Sequence, residues 1–183
     1  MHKAIFMDRD GTISEEVGYM YHAGLYRPYP WAASAVRRIN ESGMKAVLIT
    51  NQSGVGRGYF DEAMVHQVHD ILLAELARSN AKLDAIYYCP HHPDADCNCR
   101  KPQPGMLIRA KEELDIDLSQ SYVIGDKHLD VETAYAAGAK SVLVLTGYGQ
   151  TELDKHKTDK HQPTYVAENL MDAVEAIVAG NVA

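Results

Sequence analysis

Five short apolar runs, rich in β-branched and aromatic residues, are spaced along the chain with helical patterns between them. They are Lys3 to Met7, Lys45 to Thr50, Asp84 to Cys89, Ser121 to Gly125 and Lys140 to Thr146. Most are apolar on consecutive residues, the pattern of strands buried on both faces. Their alternation with helices is the sequence form of βα repeats and predicts an α/β fold: a doubly wound, mainly parallel sheet flanked by helices, of Rossmann-like type. Asp61 to Ser79 places Val65, Val68, Leu72 and Leu76 at spacings of three, four and four, a single buried stripe with Asp61 as N-cap. Leu107, Ala110 and Leu114 repeat the pattern after Pro104, and Leu170, Val174, Ile177 and Val178 do so near the C-terminus. Gly43 and Gly138 stand where a helix would stop ahead of the next strand. With 183 residues, 46% of them hydrophobic, a sizeable core is within reach, and residues 1–183 read as one domain.

Two stretches do not fit the repeat. Ile13 to Pro30 carries four tyrosines and two prolines, and Cys89 to Pro104 carries four prolines. Both read as long loops, and loops of this length with aromatic or cysteine content are usually functional. The polar stretch Gly147 to Pro163 reads as a solvated surface connection. Gly54-x-Gly56-x-Gly58 follows a strand, but its spacing does not match a dinucleotide-binding turn, so a mobile substrate loop is expected there. His66 and His69 are expected on the exposed face of their helix, and Trp31 and the methionines in packing roles.

In an open parallel sheet, ligands bind beyond the carboxyl ends of the strands. The first run ends in Asp8-Arg9-Asp10-Gly11-Thr12. Side chains two apart share one side of an extended strand, so Asp8 and Asp10 project together and Arg9 points away. The second run ends in Thr50-Asn51, and the fourth in Gly125-Asp126 with Asp130 one helical turn on. Acidic groups converging at one sheet edge repel each other unless a cation compensates. Mg²⁺ takes one or two carboxylates plus water and substrate phosphate, which suits Asp8, the Asp10 carbonyl and Asp126. Lys101 is the candidate to neutralise phosphate oxygens as a point charge. Asp130 either orients a water or side chain nearby or serves the helix dipole. A lone Asp after a strand more often forms a turn or a cap; the ordered set of acids with Thr50 and Lys101 is not accounted for that way.

Cys89-Pro90-His91 and Cys97-Asn98-Cys99 place three cysteines, the only ones in the chain, within eleven residues. An odd number so clustered excludes a disulfide framework and points to a metal. Three thiols and one imidazole suit a tetrahedral structural Zn²⁺ with no open position. His91 or His92 could supply the fourth ligand. The alternative of buried free thiols conflicts with the polar Asp94, Asp96 and Asn98 between them. Arg100 and Lys101 follow directly on Cys99, so zinc would pin the loop 89–104 and with it the candidate phosphate ligand. A zinc-ribbon binding module, the non-enzymatic reading of the same cysteines, explains neither Asp8 nor Asp10.

Asp8-x-Asp10-Gly11-Thr12, Thr50, Lys101 and Gly125-Asp126 with Asp130, in that order, resemble the four motifs of the haloacid dehalogenase superfamily of phosphatases, across about residues 3 to 146. The resemblance implies a Mg²⁺-dependent two-step phosphoryl transfer. Asp8 is then the nucleophile that forms an aspartyl-phosphate, Asp10 the general acid and base, and Thr50, Asn51 and Lys101 the holders of phosphate oxygens. Many members carry a cap domain after the first motif or between the second and third. Neither gap here is long enough, so a capless enzyme is expected.

Glu16-Val17-Gly18-Tyr19, Thr50 to Gly54 with Arg57-Gly58, Cys89 to Pro93, Cys99 to Pro102 with Pro104-Gly105-Met106, and Gly125 to Lys127 are similar to the branch of that superfamily acting on heptose bisphosphates. The histidinol-phosphate phosphatases are the nearest alternative. The heptose branch implies that Glu16, Val17, Gly18, Tyr19, Gln52, Ser53, Arg100 and Lys127 contact the sugar or its retained phosphate, and it favours His91 as the zinc ligand. Two cations beyond Lys101, Arg100 and Lys127, are what a substrate with a second phosphate needs.

Eighteen Lys and Arg against 25 Asp and Glu leave a net charge of −7. This excludes a broad grip on nucleic acid or anionic membrane but says nothing against one small phosphorylated sugar. No run approaches the roughly 18 apolar residues of a membrane span, and the N-terminal residues lack a signal-peptide pattern. The expected species is a cytoplasmic monomer.

Overall fold

Alternate residues of the first strand, β1 (Ala4–Met7), serve opposite faces of the sheet. Ile5 and Met7 belong to one buried cluster, Ala4 and Phe6 to another, and all four are fully excluded from solvent. A strand with no polar face must lie in the middle of a sheet, and β1 does. The computed structural model, which describes residues 1–182, places it between β2 (Lys45–Asn51) and β4 (Tyr122–Gly125). With β3 (Ala85–Cys89), β5 (Lys140–Val144) and β6 (Tyr165–Ala167) the sheet runs β3-β2-β1-β4-β5-β6, every neighbouring pair parallel. Strand order reverses at β1, so a crevice opens between the carboxyl ends of β1 and β4.

The expected doubly wound architecture is therefore present, fully parallel. On one face pack α1 (Ala32–Glu41), α3 (Glu62–Arg78) and α7 (Leu170–Val178); on the other, α4 (Gly105–Leu114) and α5 (His128–Ala137). The α3 stripe of Val68, Leu72 and Leu76 is 1% exposed at each position, and burying side chains of this size is worth roughly 1.5–3 kcal/mol apiece. Asp61 caps the helix by accepting from Met64 N–H at 3.1 Å. Gly138 closes α5 at φ +71°, a left-handed turn that other residues adopt at a cost.

The connection from β5 to β6 differs from expectation. It contains α6 (Gly149–Lys155), and the three-residue β6 follows it. Neither has a readable apolar period: α6 is polar along most of its length and β6 is too short for an alternation to show. The short α2 (Ser53–Gly56) turns directly off β2, where a mobile loop was expected. Between β1 and α1 there is no inserted domain, only a ribbon closed by Glu15 N–H to Arg27 O (2.8 Å) and Tyr29 N–H to Ile13 O (3.0 Å), with a 3₁₀ turn at Ala23–Leu25. Its tip carries Glu16 to Tyr19 to the crevice.

Candidate active site

The carboxyl ends of β1, β2 and β4 border an open cleft of about 300 Å³, lined by Asp8, Asp10, Thr50, Arg100, Lys101 and Lys127 among others. At its floor Asp8, Asp126 and Asp130 bring carboxylate oxygens within 4.8 Å of one another, all three residues being buried. Asp126 can reach this place only because no side chain stands beside it. A Cβ on Gly11 would lie 2.0 Å from Asp126 Oδ2, and one on Gly147 would lie 2.2 Å away; both glycines have positive φ as well. Two independent constraints thus require glycine at each position.

Burial, then the charges of Asp8 and Asp130, push the Asp126 carboxyl up to about 8. Its Oδ2 accepts from Tyr148 N–H at 2.9 Å, while Oδ1 is buried without any partner. A buried carboxylate oxygen left bare beside a second carboxylate is the observation that a hard dication fits: Asp8 and Asp126 are placed to hold Mg²⁺, with the Asp10 carbonyl the expected third protein ligand. Asp130 has a different occupation. Its Oδ1 lies 2.6 Å from Lys101 Nζ and its Oδ2 accepts from Lys127 N–H at 3.3 Å, so it caps α5 and fixes the lysine together. Burial raises Asp130 to about 6 against the opposing pull of Lys101.

Lys101 is 2% exposed, and its ammonium also lies 3.0 Å from Asp8 Oδ1. Burial opposes its charge, but Asp130 and Asp8 overcome that and hold its pKa above the ordinary lysine range. The backbone is clasped from β2: Asn51 Nδ2 donates to Lys101 O (3.1 Å) and Asn51 Oδ1 accepts from Lys101 N–H (3.0 Å). Both ends of the Asn51 amide are occupied this way, so its side chain serves Lys101 more directly than phosphate. Gln52 Nε2 donates to Thr50 Oγ1 (2.9 Å) and Asp10 Oδ2 (3.0 Å), orienting both.

Arg9 departs from the expectation that it points away from the acids. It is 1% exposed, and its guanidinium doubles back to grip the Asp10 carboxylate, Nε to Oδ1 at 3.1 Å and Nη2 to Oδ2 at 2.9 Å. A buried guanidinium needs such a partner. Its Nη1 lies 3.4 Å from His69 Nε2. His69 is correspondingly buried, contrary to the exposed position expected from its helix, because α3 turns this side of the stripe towards the Arg9 side chain. Burial, then Arg9 and His66, push the His69 imidazole down to about 3, so it is neutral and its Nε2 can accept from Arg9. An arginine between two acids was the signal available for this pair.

Of the remaining expected residues, Glu16, Gly18, Tyr19, Gln52, Ser53, Arg100 and Lys127 line the cleft; Val17 instead packs its side chain against the core. Lys127 Nζ is paired with Glu16 Oε2 at 2.6 Å and lies over the Tyr148 ring at 4.9 Å. Arg100 Nη1 is buried and without a partner.

Beside the cleft, Cys89, His91, Cys97 and Cys99 converge. His91 Nδ1 lies 3.5 Å from Cys89 Sγ and 3.2 Å from Cys99 Sγ, and Cys89 and Cys97 sulfurs are 3.8 Å apart. His91 is the histidine brought to the cysteines; His92 Nδ1 instead accepts from Asp94 N–H at 3.2 Å. Four soft or borderline donors facing one point suit tetrahedral zinc.

A family model described as HAD-hydrolase-like matches residues 98–173. The D-glycero-beta-D-manno-heptose-1,7-bisphosphate 7-phosphatase of Pasteurella multocida is 40% identical over 184 residues, covering 97% of both chains. The protein of that name from Escherichia coli K12 is 39% identical over 182 residues, covering 95% of this chain and 93% of its own. The crystal structure of D,D-heptose 1,7-bisphosphate phosphatase from B. bronchiseptica, complexed with magnesium and phosphate, superposes with a TM-score of 0.90 at 34% identity, covering 97% of this chain and 99% of that one. Likeness of this extent in sequence and backbone alike, over a strand-end cluster of the kind just described, establishes that the chain belongs to the D-glycero-D-manno-heptose-1,7-bisphosphate 7-phosphatase family of HAD-like hydrolases.

Proposed function

We propose that this protein is a Mg²⁺-dependent phosphatase that removes the C7 phosphate of D-glycero-D-manno-heptose 1,7-bisphosphate, in the synthesis of nucleotide-activated heptose. The observation that carries the reading is the juxtaposition of Asp8, Asp10 and Lys101 above the bare oxygen of Asp126, at the point where strand order reverses. A carboxylate of Asp8 attacks phosphorus and displaces the sugar alkoxide, giving an aspartyl-phosphate. Asp10, entering in its acid form, protonates that alkoxide as the P–O bond breaks; as a carboxylate it then takes a proton from the water that breaks the aspartyl–phosphate bond, so that phosphate leaves, Asp8 returns to carboxylate and Asp10 to acid. Thr50 and Lys101 hold the oxygens of the transferring group, and Asn51 holds Lys101. Bound Mg²⁺ supplies positive charge to the phosphate and to the crowded carboxylates.

Zinc at Cys89, His91, Cys97 and Cys99 is a structural part of the same proposal, fixing the segment that presents Arg100 and Lys101. The two further cations of the cleft are not equivalent. Lys127 is already neutralised by Glu16, whereas Arg100 lines the cleft and makes no salt bridge among the described residues, so Arg100 is the residue to meet the retained C1 phosphate. Glu16, Gly18, Tyr19, Gln52 and Ser53 face the sugar, with Val17 supporting them from the core. No helix among the described residues is long and apolar enough to cross a membrane, and a cytoplasmic monomer acting on a small phosphorylated sugar is consistent with the charge of −7.

The test is phosphate release from both anomers of the heptose bisphosphate, fructose 1,6-bisphosphate and histidinol phosphate. The expected result is a kcat/KM at least tenfold higher for one or both heptose anomers than for the other two. Equal, weak release from all four, or preference for histidinol phosphate, overturns the substrate assignment.

A further inference from the structure

Apart from Gly147 and Tyr148, which stand beside Asp126, the connection between β5 and β6 takes no part in the chemistry above, yet together with α5 it gathers imidazoles and carboxylates in one place. His128 and Glu132 stand four residues apart on α5 and so share a helix face. His156 and Asp159 come from the turn that ends α6. His128 Nε2 lies 3.2 Å from Glu132 Oε1 and 3.6 Å from Asp159 Oδ2, and His156 Nδ1 lies 2.7 Å from the same Asp159 oxygen. The donor atoms of His128, His156 and Asp159 all lie within 4.8 Å of one another, a closeness shared with the cysteine set.

Two features separate this cluster from an ordinary surface ion-pair network. The two imidazoles are largely withdrawn from solvent, with side chains 12% and 22% exposed, and their ring nitrogens are directed at one carboxylate oxygen from two different segments. A third imidazole, His161, contacts Glu132 through Nδ1 at 2.9 Å while its Nε2 is buried with no partner. A ligating carboxylate held from behind by a further side chain is the usual outer support of a metal site.

We propose that His128, His156, Asp159 and Glu132 form a third metal site, distinct from the cleft and from the cysteines, taking a borderline first-row dication such as Zn²⁺ or Ni²⁺. Two imidazoles and two carboxylates are donors of that class, whereas Mg²⁺ requires oxygen ligands and keeps its waters. The rings are stacked at 4.2 Å, so seating the ion turns His156 about its Cβ–Cγ bond, which its place at the end of a helix permits. The ion would tie residues 156–159 to the first turns of α5, the helix capped by Asp130.

The experiment is calorimetric titration of Ni²⁺ into the protein loaded with a single equivalent of zinc, which the three thiolates of the cysteine set take first, and kept in excess Mg²⁺. One equivalent is expected to bind and to raise the melting temperature. The affinity should drop at least tenfold in His156→Ala and in Asp159→Ala. In the unaltered protein, Ni²⁺ should broaden the NMR signals of His128, His156 and His161 ahead of those of His2 and His22, a readout needing no variant. Absence of binding, an affinity unchanged from the unaltered protein in both variants, broadening confined to other histidines, or a nickel–thiolate charge-transfer band would each overturn the assignment.

Discussion

The Arg9 guanidinium closes on the Asp10 carboxylate at two points, Nε 3.1 Å from Oδ1 and Nη2 2.9 Å from Oδ2, at a site where Arg9 is almost wholly buried. Asp10 is the proposed acid and base, so its orientation bears directly on the reaction, and a planar fork fixes a carboxylate where an ammonium fixes only a charge. Arg9→Lys should therefore lower kcat about 10- to 100-fold, or about 1.4 to 2.8 kcal/mol of barrier, with KM changed less than about threefold. Steady-state kinetics in saturating Mg²⁺ decide it: equal changes in kcat and KM, or none, would show that Arg9 only packs.

Behind Arg9, neutral His69 introduces a dependence of stability on pH. Its folded-state pKa is about 3 against an ordinary 6.5, lowered first by burial and then by Arg9. A depressed value means that the contribution is complete above pH 6.5 and is lost as pH falls towards 3, because only the unfolded chain readily takes the proton. At pH 5 the loss is about 2 kcal/mol. His69→Gln retains an acceptor for Arg9 but does not titrate. Urea unfolding at pH 7.5 and pH 5 should show the unaltered protein losing about 2 kcal/mol more than the variant between the two, and parallel losses would assign the acid sensitivity elsewhere.

These two residues also mark the limit of what the sequence discloses. The strands were legible because burial on both faces leaves unbroken apolar runs, and Asp8, Thr50 and Asp126 because a parallel sheet delivers its strand ends to one edge; Lys101, in the loop well past β3, was picked out as the cation that a phosphate crevice needs and by its place in the ordered motifs. The three cysteines were legible as a set because local spacing brings them together, whereas spacing left His91 and His92 both open and only the family resemblance favoured His91. Arg9 was misread because strand alternation fixes the direction of a Cβ, not the course of a long flexible side chain beyond it. His69 was misread because a helix stripe is defined by apolar residues and does not reveal a buried polar neighbour. The polar α6 and the short β6 have no period to detect, so the His128–Asp159 cluster, which depends on where α6 ends, was not visible at all.

Asp126 predicts the opposite pH sense from His69. Burial and the neighbouring Asp8 and Asp130 charges place its pKa near 8 without metal. A raised value means that its contribution to metal-free stability is complete below pH 4 and is lost as pH rises through about 8. Mg²⁺ binds the carboxylate and competes with that proton, so the gain in melting temperature on adding Mg²⁺ should grow from pH 6 to pH 9. Asp126→Asn should remove this Mg²⁺ dependence, stabilise the metal-free protein at pH 9, and lower phosphatase activity by at least about 100-fold. Scanning calorimetry with and without Mg²⁺ tests it; an Mg²⁺ shift that survives in the variant would place the ion elsewhere.

Lys101 is held through its backbone by Asn51 and, as proposed, by zinc two residues earlier at Cys99. Both supports act on one ammonium position, so their loss should not be additive. Chelation of zinc in excess Mg²⁺ and the substitution Asn51→Ala should each lower kcat roughly 10-fold. Together they should lower it by clearly less than the product. Metal content measured on the same samples shows whether zinc has left. If zinc is removed and kcat and KM stay unaltered, the cysteine loop has no part in placing Lys101.

Arg100 and Lys127 both line the cleft, but only Arg100 has a buried donor without a partner, while Lys127 is committed to Glu16 at 2.6 Å. A retained phosphate gains a charge-assisted bond from Arg100 at no cost to an existing pair, whereas engaging Lys127 means loosening its bond to Glu16. Removing Arg100 should therefore reduce discrimination between the heptose bisphosphate and the 7-monophosphate lacking the C1 phosphate. The ratio of their kcat/KM values should fall about 10-fold or more in Arg100→Ala, a single strong bond being worth about 1.5–3 kcal/mol, and by less than about threefold in Lys127→Ala. Both substrates must be assayed with each variant, since a uniform fall would report damage to the neighbouring Lys101 or Asp126. An unchanged ratio in Arg100→Ala, with the loss carried by Lys127→Ala, would reverse the assignment and make the Glu16–Lys127 pair the contact that opens to admit the second phosphate.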